Sequence, residues 1–211
     1  MSKVAMIWGA RGGIGQALGD QLREEGWRVL RMSRDTAGLG ELTPDLFEVD
    51  AADAEAVAQA IEVAGRDVNQ IDLWIYAAGD IAAQKISEGS LEDWQRILDA
   101  NLTGAYLAAH YSLPLLAPDA HMMFLGAISE RLRLPRLSAY AAAKAGLEAL
   151  VEVLAKEERK RRVTLVRPTA VDTPLWDKVP FKLPPGALSP AEAAEQILAA
   201  YHDSHRGVLE F

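Results

Sequence analysis

The sequence predicts a single α/β domain, a doubly wound parallel sheet of seven strands with helices on both faces. Three observations predict it. Short apolar runs alternate with longer stretches of helical period, the pattern of successive βαβ units. The strand-like runs are nearly continuous in apolar residues, as strands buried on both faces must be. A glycine-rich segment links the first run to the first helical stretch, where such sheets turn from strand to helix. The 211 residues suit one hydrophobic core, so 1–211 is read as one domain.

The expected strands are Val4–Trp8, Arg28–Met32, Leu46–Val49, Leu73–Ala77, His121–Leu125, Val163–Val166 and Val208–Phe211. The helices between them are expected near Ile14–Glu25, Asp53–Ala64, Leu91–Leu98, Leu102–Leu116, Ala139–Arg159 and Ala191–His202. Ser90 precedes Leu91-Glu92-Asp93, and Ser189-Pro190 precedes Ala191; both are helix-start signals. Residues 174–189 carry Pro174, Pro180, Pro184 and Pro185 and have no periodicity. They are read as an irregular lid, whose Leu175, Trp176, Val179, Phe181 and Leu183 predict a mostly apolar pocket.

Composition narrows the function. The 30 acidic against 22 basic residues give a formal charge of -8, which repels a phosphate backbone, so nucleic acid is not an expected partner. The dense basic stretch Lys156–Arg162 falls where a long helix should end, and cations there complement the helix dipole. With no cysteine, thiolate nucleophiles, disulfides and cysteine-ligated metals are excluded. His202 and His205 lack a third ligand in the sequence, so no metal site is expected. Met1-Ser2-Lys3 runs straight into the first strand with no cleavage pattern and no membrane-length apolar run, which leads to the expectation of a cytoplasmic protein away from membranes.

Three sets of residues carry chemistry. Gly9-Ala10-Arg11-Gly12-Gly13-Ile14-Gly15 lets the chain turn tightly, brings backbone amides close to a pyrophosphate and aims a positive helix end at it. Its spacing is G-x-x-x-G-x-G, and it lacks the Lys-Ser/Thr of a mononucleotide P-loop. A dinucleotide site and a Rossmann-like sheet follow. At the end of the second strand, Ser33 stands where a carboxylate would accept from ribose hydroxyls, with Arg34 beside it and Arg11 reaching toward the same region. Guanidinium groups hold phosphate bidentately, so NADP(H) is favoured over NAD(H), although Asp35 offers a carboxylate. Tyr140 and Lys144 are four apart, on one helix face, where an ammonium would favour the phenolate and lower a tyrosine pKa from its usual ~10.

With these sets in place, together with Asp50, Ala78-Gly79, Asn101, Pro168 and Thr173-Pro174 in order along the chain, the sequence resembles the short-chain dehydrogenase/reductase family over nearly its full length. The resemblance implies hydride transfer between a nicotinamide and a small carbonyl or alcohol compound, with Tyr140 as acid/base. It implies that Lys144 lowers the tyrosine pKa and holds the nicotinamide ribose, and that Asn101 positions a water relaying protons to Lys144. Asp50, with Ala51 next to it, would meet the adenine, and Ala78 and Gly79 the adenosine ribose. Pro168 and Thr169 would lie beside the nicotinamide, and Thr173 with the Val171 backbone would fix the carboxamide. Helix-paired homodimers or homotetramers are also implied, with Ala141, Ala145, Gly146 and Ala149 permitting close approach.

The chain departs from the family pattern at several positions. Ala127 occupies the place of the family's catalytic serine, and Ser129 is the nearest hydroxyl; either the loop shifts so that Ser129 reaches the substrate, or that donor is missing. Tyr76-Ala77-Ala78-Gly79 replaces Asn-Asn-Ala-Gly, Pro168-Thr169 replaces Pro-Gly, and Trp8 precedes the first glycine. The missing serine keeps a second reading open, a dinucleotide-binding sensor or regulatory protein with weak or no catalysis.

Overall fold

The computed structural model describes residues 2–39 and 43–211; Met1 and residues 40–42 lie outside it. Strands β1 (Val4–Trp8), β2 (Arg28–Ser33), β3 (Leu46–Glu48), β4 (Ile71–Tyr76), β5 (Leu116–Leu125), β6 (Arg162–Arg167) and β7 (Gly207–Glu210) form one parallel sheet in the order β3-β2-β1-β4-β5-β6-β7. Helices α1 (Gly13–Glu24), α2 (Ala54–Asp67), α3 (Leu91–Leu98), α4 (Gly104–Ser112), α5 (Ser138–Glu157) and α6 (Pro190–His202) connect the strands. None of these helices is long and apolar enough to cross a membrane.

The strands are apolar on both faces because each face buries a core. Met6 and Trp8 of β1 join one cluster, with Val57 and Ile61 of α2, Ala105 and Ala108 of α4, and Leu147 and Val151 of α5. Ala5 and Ile7 face the other, with Leu18 and Leu22 of α1 and Ile197 and Leu198 of α6. This is the two-residue alternation of a strand, masked in the sequence because both sides are dry. The helix starts are set by side chains where the sequence offers them. Asp53 accepts from the amides of Glu55 and Ala56, and Ser90 from that of Asp93; Ser189 and Glu192 form a capping box in front of Pro190. By contrast, no side chain caps α1, whose start is Gly12.

Two elements differ from expectation. β5 begins at Leu116, well before His121, because Pro118 and Asp119 sit on an exposed stretch of the strand and the register shifts between Ile71 and Leu73 opposite it. A proline at such an irregularity removes no paired donor. The expected fourth helix, Leu102–Leu116, is part of a continuous rod: α3 runs into a π-helical turn, Asp99–Thr103, and on into α4, which ends at Ser112. The Tyr76 hydroxyl, fully buried, donates to the Ala100 carbonyl at 2.9 Å inside that turn. Gly104 makes room for it, since a Cβ there would stand 2.5 Å from the Tyr76 oxygen and 2.9 Å from the Asp99 carbonyl.

Gly104→Ala is therefore expected to cost about 1–3 kcal/mol in denaturant unfolding, the range for overpacking. In a Tyr76→Phe background the same substitution should cost less, because the hydroxyl it collides with is gone; strict additivity would contradict this packing.

Candidate functional site

The carboxyl ends of β1, β4, β5 and β6 open onto a cleft of about 480 Å³. It is lined by the glycine turn (Gly12, Gly13, Ile14), by Ala78 and Gly79 after β4, by Asn101, Tyr140 and Lys144, and by Pro168, Thr169, Val171 and Thr173 after β6. Residues from five separate stretches of the sequence thus meet where a doubly wound sheet places its ligand.

The turn is built around Gly9, whose φ of 79° is left-handed; a Cβ there would stand 2.4 Å from the amide nitrogen of Ala78. The turn and the β4 end can touch only because that position has no side chain. Gly9 and Gly15 support the turn from behind and are absent from the cleft wall, while the amides at the start of α1, uncapped by any side chain, form a helix end that favours an anion.

Tyr140 and Lys144 lie on one face of α5, with the Lys144 nitrogen 5.6 Å from the centre of the Tyr140 ring. Lys144 is buried, and its ammonium donates to the Leu125 carbonyl at the end of β5, at 2.8 Å. Burial lowers its pKa to about 8 and raises that of Tyr140 to about 12. The sequence led to the opposite expectation for the phenol, a pKa pulled down by the ammonium; desolvation outweighs that attraction, so Tyr140 is a protonated donor at neutral pH.

Asn101 is fully buried in the π turn, where its amide donates to the carbonyls of Asp80 (2.7 Å) and Ile97 (2.8 Å). Its Oδ1 has no partner. A Cβ on Gly79 would stand 2.9 Å from that oxygen and 3.9 Å from the Lys144 nitrogen, so Gly79 leaves open a space bordered by an unsatisfied acceptor and an ammonium with donors to spare.

Other predicted residues take different places. Ser129 donates to Glu148 at 2.9 Å and is not part of the cleft wall, whereas Ala127 is. The cause is an ionic cluster: Arg167 pairs with Glu148 and Glu210 at 3.2 Å each, and with Glu130, and Glu148 in turn takes the Ser129 hydroxyl. Arg11 forms an ion pair with Asp35, each about half exposed, while Arg34 is exposed and enters no ion pair among the described residues. The half-buried Ser33 accepts from the Val49 amide through its carbonyl. Asp50 is exposed and accepts from the Ala52 amide at 3.0 Å; Ala51 packs near Gly104, and neither lines the cleft. The Val171 carbonyl is taken by the Trp176 indole at 2.9 Å. His202 pairs with Glu25 at 3.5 Å, and no cluster of three candidate metal ligands forms among the described residues.

Sequence reasoning missed Asp80. Its carboxylate is buried and pairs with Arg96 and, at 2.6 Å, with Lys178, joining the β4 end to α3 and to the short turn Pro174–Lys178 that opens the lid. A charged residue directly after Ala78-Gly79 was the available signal. Leu175, Trp176, Val179 and Phe181 of the lid do line the cleft.

These features can be set beside known proteins. A family model described as Enoyl-(Acyl carrier protein) reductase matches residues 9–193. An uncharacterized oxidoreductase of Staphylococcus saprophyticus is 30% identical over 226 residues, covering 99% of this chain and 95% of its own. Among solved structures, the ligand-free aldohexose dehydrogenase of Thermoplasma acidophilum superposes with a TM-score of 0.86 at 22% identity, over 99% of this chain and 92% of that one. A 3-ketoacyl-(acyl-carrier-protein) reductase from Brucella melitensis, complexed with NADH, gives a TM-score of 0.85 at 22% identity, over 99% and 96%. The chain belongs to the short-chain dehydrogenase/reductase family. It is an oxidoreductase of that type, in a family that binds nicotinamide dinucleotides.

Asp80→Asn should lower the unfolding free energy by about 1–3 kcal/mol, since the charge-assisted bonds of two cations to a buried carboxylate are lost, whereas Lys178→Ala removes a half-exposed partner and should cost less than about 1 kcal/mol. Equal losses in denaturant titrations of the two variants would contradict the assignment of Asp80 as the hub.

Proposed function

We propose that the chain is an NADPH-dependent reductase of small carbonyl compounds in which Tyr140 protonates the substrate oxygen. The observation that carries this reading is that Tyr140 and Lys144 face the same cleft as the glycine turn. The cleft fits a dinucleotide: an uncapped helix start at one end suits the pyrophosphate, and the unsatisfied Asn101 oxygen and the Lys144 ammonium border the other. When bound, the nicotinamide would supply the hydride. The chain's own part is proton delivery and orientation.

Tyr140, protonated at neutral pH, gives its proton to the carbonyl oxygen as the carbon is reduced, and the adjacent ammonium stabilises the phenolate left behind. Lys144 orients the ribose, and Asn101 orders a polar atom in the space beside Gly79 through which the proton is replaced. Ala78 and Gly79 flank the adenosine half, and Pro168, Thr169, Thr173 and the Val171 amide flank the nicotinamide, while Asp50 and Ala51 lie outside this wall. Ser129 stays outside the chemistry, bound to Glu148. The preference for NADPH rests on Arg34, because Arg11 and Asp35 are committed to each other, which leaves one free guanidinium and a neutralised carboxylate beside Ser33.

A second reading, a dinucleotide sensor with weak catalysis, draws on the methyl group of Ala127 at the place of the expected serine. Turnover of any member of a broad panel of aldehydes, ketones and quinones would end it. Helix-paired homodimers or homotetramers fit the exposed Leu91, Trp94, Tyr106 and Val153 on α3, α4 and α5. Gly146 does not serve such pairing, since it packs against Leu102 of its own chain.

Tyr140→Phe should abolish reduction while leaving NADPH affinity, read by calorimetry, within about two-fold; unchanged turnover would defeat the mechanism. Reduction should hold steady below pH 8 and fall ten-fold per pH unit above it, because Lys144 loses its proton there and with it the charge that stabilises the phenolate. A pH–rate profile flat to pH 10 would contradict that role. Arg34→Ala should weaken NADPH binding by about ten- to hundred-fold and leave NADH binding alone, the range for a charge-assisted contact.

A further inference from the structure

Beyond the cofactor, the wall of the cleft has a charge pattern of its own. Its ionisable lining consists of Tyr140 and the cations Lys144, Arg131 and Lys182, with no aspartate or glutamate, in a chain that carries 30 acidic against 22 basic residues. Arg131 and Lys182 enter no ion pair and no side-chain hydrogen bond among the described residues. Their neighbours behave otherwise: Arg96 and Lys178 are tied to Asp80, and Arg167 to three glutamates.

The two cations come from different segments of the chain. Arg131 stands on the short turn Ser129–Leu132 between β5 and α5, past Ala127 and Ile128; Lys182 follows Phe181 in the lid. The pyrophosphate end of the cleft, at the start of α1, is built by neither. The rest of this part of the wall is apolar, with Leu132, Leu137, Trp176 and Phe181 among its residues. Both cations are exposed, so an anion held between them gains through a field that salt screens, and the gain is largest at low ionic strength.

We infer that the substrate of this cleft is a carbonyl compound with an apolar body and an anionic head, a carboxylate or a phosphate, that Arg131 and Lys182 receive. The inference rests on the reductase reading of the site and names its substrate class. Arg131 would hold the head through its planar fork and Lys182 as a point charge brought in by the lid, so that binding the head also draws the lid down.

The test uses the NADPH complex of the whole protein and isothermal calorimetry, which reads binding whether or not turnover follows. Methyl-ketone acids from levulinate to oxodecanoate are each compared with their methyl esters, and dihydroxyacetone phosphate with dihydroxyacetone. At least one anion should bind about ten-fold tighter than its neutral partner at low salt, less so at high salt; Arg131→Gln and Lys182→Gln should each remove several-fold of that gain while leaving the neutral ligand and NADPH unaffected. The larger gain, for carboxylate or for phosphate, identifies the head. Anion and neutral partner binding within two-fold of each other, or a gain that survives the Arg131→Gln/Lys182→Gln double variant, would overturn the inference. Charge-selective binding without turnover would uphold the anion-receiving site at Arg131 and Lys182 but sink the reductase reading, and with it the ligand's standing as a substrate.

Discussion

An ammonium in an apolar wall is costly unless its donors are met, and the placement of Lys144 against the end of β5 is the contact on which the cleft depends. One donor goes to the Leu125 carbonyl at 2.8 Å, which fixes the first turns of α5 against the sheet and thereby fixes Tyr140 one turn earlier. The remaining donors border the space that Gly79 keeps open beside the unsatisfied oxygen of Asn101. Burial moves the two titrating groups apart, down to about 8 for the amine and up to about 12 for the phenol, so that at neutral pH a cation and a protonated phenol share one face.

Around that contact the fold holds the walls with ions placed away from the reacting atoms. Asp80 ties the β4 end to α3 and to the lid, and its backbone carbonyl also receives the Asn101 amide, so one residue couples lid and π turn. Arg167, immediately before Pro168, gathers glutamates from three elements and fixes the exit of β6. That same cluster draws Ser129 away from the cleft, leaving Ala127 in the wall. In the proposed mechanism, carbonyl polarisation then falls on Tyr140, without a serine at the place of Ala127.

Much of this was legible in the sequence because it depends on local patterns. The seven strands, the glycine turn and the Tyr140/Lys144 spacing are short-range features, and the structure brings the turn, Ala78-Gly79, Asn101, the pair and the Pro168–Thr173 segment to one cleft. What escaped depends on partners distant in sequence. Nothing near Ser129 announces that Glu148 and Arg167 will claim it, nor does anything near Arg11 announce Asp35. The π turn escaped because its cause is a tyrosine hydroxyl from β4, 24 residues upstream of the carbonyl it meets. The phenol's direction of shift escaped because spacing reveals the ammonium but not the depth of burial.

The most direct test of the account is a crystal structure of the NADPH complex. It should place the pyrophosphate on the amides at the start of α1, the adenosine 2′-phosphate beside Arg34, and the nicotinamide ribose within hydrogen-bonding reach of Tyr140 and Lys144. A dinucleotide seated elsewhere, or one whose nicotinamide end turns away from Tyr140, would contradict it.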